Sequence, residues 1–139
     1  MAHFTQMSRT VCGVAASAGR GAGVVIETMR LASRIERDRF VAAMARDVIA
    51  PVAAQHGIVG MHLLEGQPAS QAETAETRLR GASESADWIL LVEAVCMDVI
   101  TELRGNLISN QAIIACGAGT PIRRGAYALQ FALARSDLP

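Results

Sequence analysis

The sequence predicts an α+β fold in which helices cover one face of an antiparallel four-stranded sheet. Apolar segments of strand, helix and strand type follow one another in residues 24–65, and the same order returns in residues 88–134. This βαββαβ order is typical of a ferredoxin-like sandwich. Because the helices of such a sandwich lie on one side, the other face of the sheet needs a different cover. We expect the function to lie on that face.

The first unit starts with a predicted strand at residues 24–31 and continues into a predicted helix at residues 36–55. Apolar side chains at helical spacing predict one buried stripe, formed by Phe40, Val41, Met44, Val48 and Val52. Pro51 has no N–H to donate, so we expect the helix to kink or restart there. Gly57 is a suitable C-terminal stop before the next strand, at residues 58–65.

The second unit has a predicted strand at residues 88–95 and a helical region at residues 98–116 that we expect to consist of two pieces. Asp98 is a candidate cap for the first piece, and Ser109 is a candidate cap for the second. Gly117 is placed to end the second piece.

The last predicted strand, at residues 126–134, has the clearest alternation of large and small side chains. The large set is predicted to pack under the helices: Tyr127, Leu129, Phe131 and Leu133. The small set is predicted to lie on the uncovered face, where it would allow close approach of a second sheet or a ligand: Ala126, Ala128, Gln130, Ala132 and Ala134.

The chain divides into two predicted parts. Residues 1–23 are interpreted as a flexible N-terminal extension or linker because Gly19, Gly21 and Gly23 alternate at its end. Residues 24–139 are predicted to form a ferredoxin-like α/β-barrel domain. Within that domain the long polar stretch at residues 66–86 is predicted to be a lid loop with a short helical part.

Composition excludes several classes of protein. Lys+Arg and Asp+Glu each number 13, all the basic residues are Arg, and they are scattered, so no nucleic-acid partner is expected. No apolar run reaches the roughly 18 residues of a membrane helix, so no membrane partner is expected. The 3 cysteines stand far apart, which argues against disulfides and a zinc site and favours a cytoplasmic location. We predict neither a metal nor a cofactor.

Three polar residues within predicted strands are candidates for catalysis. His62 lies in a half-apolar strand, where it is either a general base or a hydrogen-bonded structural histidine. Glu27 and Glu93 lie in strands that are neighbours in this topology, and a carboxylate there is costly unless it is paired. They are either acid–base groups or members of ion pairs with Arg30 or Arg123.

Three further residues are candidates for the lining of a substrate site: Trp88, Tyr127 and Gln130. Trp88 is the only tryptophan, and it is either a ligand-stacking side chain or part of the core. No Gly-x-Ser-x-Gly motif occurs, so the sequence does not predict a hydrolase triad.

The chain resembles the dimeric α/β-barrel superfamily, over residues 24–135. The resemblance rests on three segments: the proline-containing helix that ends at a glycine before a strand (residues 49–62), the third strand (residues 86–93) and the last strand (residues 127–131). The superfamily includes antibiotic-biosynthesis-type monooxygenases, EthD-like proteins and stress-responsive A/B-barrel proteins.

This resemblance implies that two such sheets face one another, so that the uncovered face is buried in a homodimer. It also implies a pocket for a small apolar or aromatic ligand and cofactor-independent oxygenase-like chemistry. A non-catalytic homodimeric assembly module is the alternative. The chain also resembles the second half of a two-repeat protein of this kind. No haem-ligating pattern is present in the sequence.

Overall fold

The computed structural model describes residues 11–19, 22–67 and 88–129. Its elements, in chain order, are β1 (Cys12–Gly19), β2 (Val25–Leu31), α1 (Arg37–Met44), a π-helical turn (Ala45–Ile49), α2 (Ala50–Ala53), β3 (Ile58–Gly66), β4 (Trp88–Ala94), α3 (Met97–Arg104), α4 (Asn110–Ala115) and β5 (Arg123–Ala128). None of the helices within these ranges is long and apolar enough to cross a membrane.

The strands form one antiparallel sheet in the order β1-β3-β4-β2-β5. The α+β class with an antiparallel sheet is therefore confirmed. The four strands β2 to β5 have an order consistent with a ferredoxin-like arrangement. The prediction of a four-stranded sheet is wrong, because the described part of the chain contributes a fifth strand, β1, beside β3.

β1 lies within the segment that the sequence predicted to be a flexible extension. That prediction is wrong for residues 12–19, which pair along the edge of β3 from Cys12 opposite Gly66 to Gly19 opposite Gly60. The segment carries mainly small residues and gives little apolar periodicity. Its stability comes from backbone pairing and from three alanines that pack against the core, Ala15, Ala16 and Ala18.

The first helical region is continuous but changes from π-helical to α-helical hydrogen bonding just before Pro51, where the sequence predicted a kink or restart. α1 passes into the π-helical turn, and α2 restarts at Ala50 with the proline in its first turn. The predicted stripe is confirmed for Phe40, Met44, Val48 and Val52, which are buried, and Val41 is partly buried. Gly57 has a φ of 90°, so it turns the chain from α2 into β3.

The second helical region consists of two pieces, as predicted. The Ser109 hydroxyl accepts a hydrogen bond from the backbone N–H of Ala112 at 3.1 Å, so Ser109 is the cap of α4. The cap prediction for Asp98 is wrong, because Cys96 is the N-cap of α3 and Asp98 lies in the first turn. A carboxylate in that turn still faces the positive end of the helix dipole.

The core lies between the helices and one face of the sheet. Side chains from β2, β3 and β4 alternate between this face and the opposite one, and those that point to the helices are almost fully buried: Met29, Leu31, Met61, Leu63, Trp88, Leu90 and Val92. Phe40 of α1 packs edge-to-face against the Trp88 ring at a centroid distance of 5.0 Å.

The faces of β5 are opposite to the prediction. Ala126 and Ala128 pair with Glu27 and Val25, which point to the helices, whereas Tyr127 pairs with Ile26 on the other face. Tyr127 and Leu129 are 60% and 46% exposed, so these two large residues do not pack under the helices.

The physical reason is Arg124, which shares the inner face with the two alanines and donates a hydrogen bond to the buried Glu27 carboxylate. A slip of one residue would move this cation to the other side of the sheet. The predictions for Phe131, Leu133, Gln130, Ala132 and Ala134 lie outside the described residues, as does nearly all of the predicted lid loop.

Candidate functional site

The face of the sheet opposite the helices, called the open face from here on, is the candidate site. Its residues follow from the strand register and are Val14, Ser17, Gly19, Ile26, Thr28, Arg30, Gly60, His62, Leu64, Ile89, Leu91, Glu93, Arg123, Gly125 and Tyr127. The described helices pack on the other face, because their buried side chains belong to the single core cluster.

Three polar side chains form a row on the open face. The Ser17 Oγ lies 2.7 Å from the His62 Nδ1, and the His62 Nε2 lies 3.6 Å from the Glu93 Oε2. Ser17 and His62 are directly opposite in the β1–β3 pair, and Glu93 is a diagonal neighbour of His62 on β4. The His62 and Glu93 side chains are 28% and 20% exposed and Ser17 is exposed, so the row is open to a ligand at its Ser17 end.

A bulge in β1 places Ser17 in this row. Val14 lies opposite Leu64, but Ala16, two residues later, lies opposite Leu63, only one residue further along β3. Ala15 is therefore an extra residue in the β1 ladder. Without it, the same register from Val14 onwards would bring Ser17 opposite Met61, on the helix side of the sheet.

Gly60 makes room for the carboxylate of the row. It lies opposite Glu93, and a Cβ at this position would come within 3.0 Å of Glu93 Oε2 and 3.3 Å of His62 Nε2. The Glu93 side chain therefore lies over Gly60, where it reaches the imidazole ring.

The partners of His62 define which ring nitrogen carries the proton in the neutral form. A carboxylate only accepts, so the neutral tautomer that suits Glu93, 3.6 Å away, carries its N–H on Nε2. In that tautomer Nδ1 has its lone pair free and accepts the hydrogen bond from the Ser17 hydroxyl. The row therefore consists of the Ser17 hydroxyl as donor, the His62 imidazole and the Glu93 carboxylate, in that order.

An apolar strip lies next to this row. Its residues are Leu64, Ile89, Leu91 and Ile26, which occupy three neighbouring strands and are half-buried. Tyr127 bounds the strip on the side of β5, where its ring lies over Gly125: a Cβ there would be 2.9 Å from the tyrosine hydroxyl oxygen. The open face therefore combines an apolar strip with one acid–base cluster, one aromatic side chain and two arginines, Arg30 and Arg123.

Glu27 does not belong to this site. It is fully buried on the helix side of β2, where Arg104 donates bonds to both carboxylate oxygens and Arg124 donates a further one at 3.2 Å. The structural alternative for this residue therefore fits its contacts, but the predicted partners Arg30 and Arg123 are wrong. Hydrogen bonding to the Glu27 carboxylate raises the pKa of Arg104.

The remaining predicted residues divide between the two faces. Trp88 is 5% exposed and contacts Phe40, so it belongs to the core and not to the open face. Tyr127 lies on the open face, and Gln130 lies outside the described residues. The structure thus brings His62 and Glu93 together, with Tyr127 on the same surface, and separates Glu27 and Trp88 from them.

Ser17 is the functional candidate that the sequence analysis missed. The alternating glycines that follow it indicate a linker, and its position on the open face depends on a β-bulge that has no recognisable sequence motif. Over the described ranges, no group of three or more His, Cys, Asp and Glu residues is placed to hold a metal ion.

Comparison with known protein families gives no match for this chain, and comparison with curated proteins gives none either.

Proposed function

We propose that the protein binds a small, largely apolar or aromatic molecule on the open face and that His62 is the acid–base group of this site. The observation that carries the proposal is the row of Ser17, His62 and Glu93 at the border of the apolar strip. Small-molecule sites are concave, with mostly apolar walls and a few convergent polar groups, so the open face supplies one such wall and a second sheet facing it would supply the other.

In this site His62 Nδ1 accepts a proton, and the Glu93 carboxylate stabilises the imidazolium that forms. The ligand's own acidic O–H or C–H donates that proton, either by taking the place of the Ser17 hydroxyl or through it. The electron pair stays on the ligand. The resemblance to dimeric α/β-barrel oxygenases extends this step to cofactor-independent reaction of the resulting anion with oxygen.

A second copy of the chain is the proposed cover of the open face. Half-buried apolar residues on three strands, together with exposed Val14, Tyr127 and Leu129, form a surface that soluble monomers rarely leave in water. The formal net charge is +0, so two copies repel each other little. A two-fold symmetric dimer of this kind closes the ligand site between two sheets.

A non-catalytic homodimeric assembly module is the second candidate. The apolar strip favours it, because the same surface buries well against a like partner without any ligand. The two candidates differ in the role of Ser17, His62 and Glu93. The ligand-binding protein uses this row as its acid–base group, whereas the assembly module does not need it.

Ligand-observed and protein-observed NMR with a panel of small aromatic acids and phenols tests the proposal. We expect shift changes concentrated at His62, Leu91 and Ile26, and loss of binding in His62→Gln. His56→Gln is the matched control, since His56 is exposed beyond the end of α2, away from the open face. Binding that is unchanged in His62→Gln, or absent for the whole panel, would contradict the proposal.

Light scattering of the same samples tests whether a second copy of the chain covers the open face. We expect a dimer of about twice the 14.7 kDa chain mass, insensitive to salt because apolar burial holds it. A dimer that binds no member of the panel would favour the assembly module, and a monomer at micromolar concentration would contradict both candidates.

A further inference from the structure

Ser17 has the contacts of an activated nucleophile. Its Oγ lies 2.7 Å from His62 Nδ1, so the hydroxyl donates to this nitrogen in the neutral tautomer that carries its proton on Nε2, the nitrogen 3.6 Å from the Glu93 carboxylate. A hydroxyl, a base and a carboxylate that orients the base are the three parts of a serine nucleophile site, which is recognised by its geometry and not by the order of its residues.

We propose that Ser17 attacks small carboxylic esters with an apolar or aromatic alcohol portion, so that the protein has esterase or acyl-transfer activity. This inference rests on the proposed function, since the ester occupies the same open face and uses the same base. It goes further in naming the nucleophile and the substrate class. The apolar strip beside the row binds the alcohol portion of the ester.

The reaction balances without a cofactor. The Ser17 O–H bond breaks as Oγ forms a bond to the ester carbonyl carbon, and the proton moves to His62 Nδ1. The bond from that carbon to the alcohol oxygen then breaks, and the departing oxygen takes the proton from His62. Water next attacks the acyl carbon and gives one proton to His62 Nδ1. The bond from that carbon to Ser17 Oγ then breaks, Oγ takes the proton from His62, and the carboxylic acid is released.

The surroundings of Ser17 leave the hydroxyl accessible. Ser17 is exposed, and two glycines of the open face, Gly19 and Gly60, lie beside the row without side chains to block an ester group. Two other serines of the described residues use their hydroxyls on backbone groups: Ser33 donates to the Ile35 carbonyl, and Ser109 caps α4. The geometry therefore singles out Ser17 among these three.

An alkyl fluorophosphonate, which phosphonylates activated serines, tests the nucleophile directly. We expect a single adduct that peptide mapping places on Ser17, and no adduct in Ser17→Ala. In His62→Gln the labelling rate should fall by about a hundredfold or more, the usual contribution of a general base. Glu93→Gln should slow labelling while the adduct stays on Ser17, because Glu93 only orients the ring.

Hydrolysis of p-nitrophenyl butyrate by the same variants tests the turnover. We expect hydrolysis by the parent and by His56→Gln, and loss in Ser17→Ala and His62→Gln. Circular dichroism and urea midpoints equal to the parent show that the variants are folded, as expected for an exposed serine. An adduct on another residue, or equal labelling in His62→Gln and the parent, would overturn the inference.

The NMR panel separates this inference from the proposed function. Aromatic ligands that bind at His62 while Ser17 is not labelled would overturn the nucleophile and leave the binding site in place. Labelling of Ser17 in the parent with no binding by the acids and phenols would support the nucleophile and contradict the ligand class of the proposed function.

Discussion

Glu27→Gln removes one negative charge from an enclosed network and preserves the shape of the side chain. The Glu27 carboxylate is fully buried and receives hydrogen bonds from Arg104 of α3 and Arg124 of β5. These hydrogen bonds connect α3 and the edge strand β5 to β2. If Glu27 is a structural residue, as its contacts indicate, its replacement should lower stability and leave the chemistry of the open face intact.

The expected loss follows from what remains after the substitution. Breaking a buried ion pair by removing one partner costs about 3–5 kcal/mol when the other charge stays buried. Here the Arg104 and Arg124 side chains are 37% and 20% exposed, so both cations can turn towards water. The lower end of the range applies, about 3 kcal/mol, which corresponds to about 10 °C in the melting temperature for a domain of this size.

Urea unfolding measured by circular dichroism and by the fluorescence of the buried Trp88 is the assay. We expect the midpoint of Glu27→Gln to fall at an unchanged slope. The matched control is Glu65→Gln, which removes a carboxylate from the exposed pair with Arg37 and should leave the midpoint where it is. Equal midpoints for Glu27→Gln and the parent would refute the structural assignment.

Three further substitutions or labels test other parts of the fold. Phe40→Ala empties a fully buried site of the core and should cost about 3–5 kcal/mol in urea unfolding; a parent-like midpoint would contradict the packing. Gly57→Ala should cost about 1–3 kcal/mol in the same assay, because φ is 90° and the new Cβ would lie 2.8 Å from Val99 Cγ2. Iodoacetamide should modify the exposed Cys96 first and Cys116 last, as mapped by mass spectrometry. Burial raises the pKa of the Cys116 thiol and so lowers its reactive thiolate fraction; equal modification rates for the two cysteines would contradict this burial.

The parts of the fold that the sequence predicted correctly depend on local signals. A proline within a helix, a serine at a cap and a glycine with positive φ act on the backbone within one or two turns. Pro51, Ser109 and Gly57 therefore have the roles that their residue types indicate. The apolar stripe of the first helix is equally local, since it follows from a spacing of three and four residues.

The parts that the sequence could not predict depend on contacts between distant segments. Alternation in β5 shows that the strand has two different faces, but it does not show which one is inside. That choice follows from the contact of Arg124 with Glu27, 97 residues away in the chain. β1 gives even less signal, because its small side chains are stabilised by pairing with β3 and not by their own hydrophobicity.

The candidate site was also only partly predictable from the sequence, because it depends on contacts between distant segments. His62 and Glu93 were identifiable as polar residues inside apolar strands, because such residues are costly without a partner. The sequence could not show that Glu27 lies on the opposite face from His62 and Glu93. All three residues lie in strands, and only the strand register determines the face on which each side chain lies. Ser17 could be found only after β1 was seen to pair with β3.

The extra residue in β1 has a consequence for how this chain should be compared with others. One in-frame codon gained or lost between Val14 and Ser17 would carry the hydroxyl to the opposite side of the sheet, while composition and core volume hardly change. Edge strands tolerate such changes because only one neighbour has to adapt to them. An alignment that scores a gap here as neutral would group chains that have the hydroxyl–imidazole contact with chains that lack it. Related chains should therefore be compared by the number of residues between Val14 and Ser17 as well as by the presence of the serine.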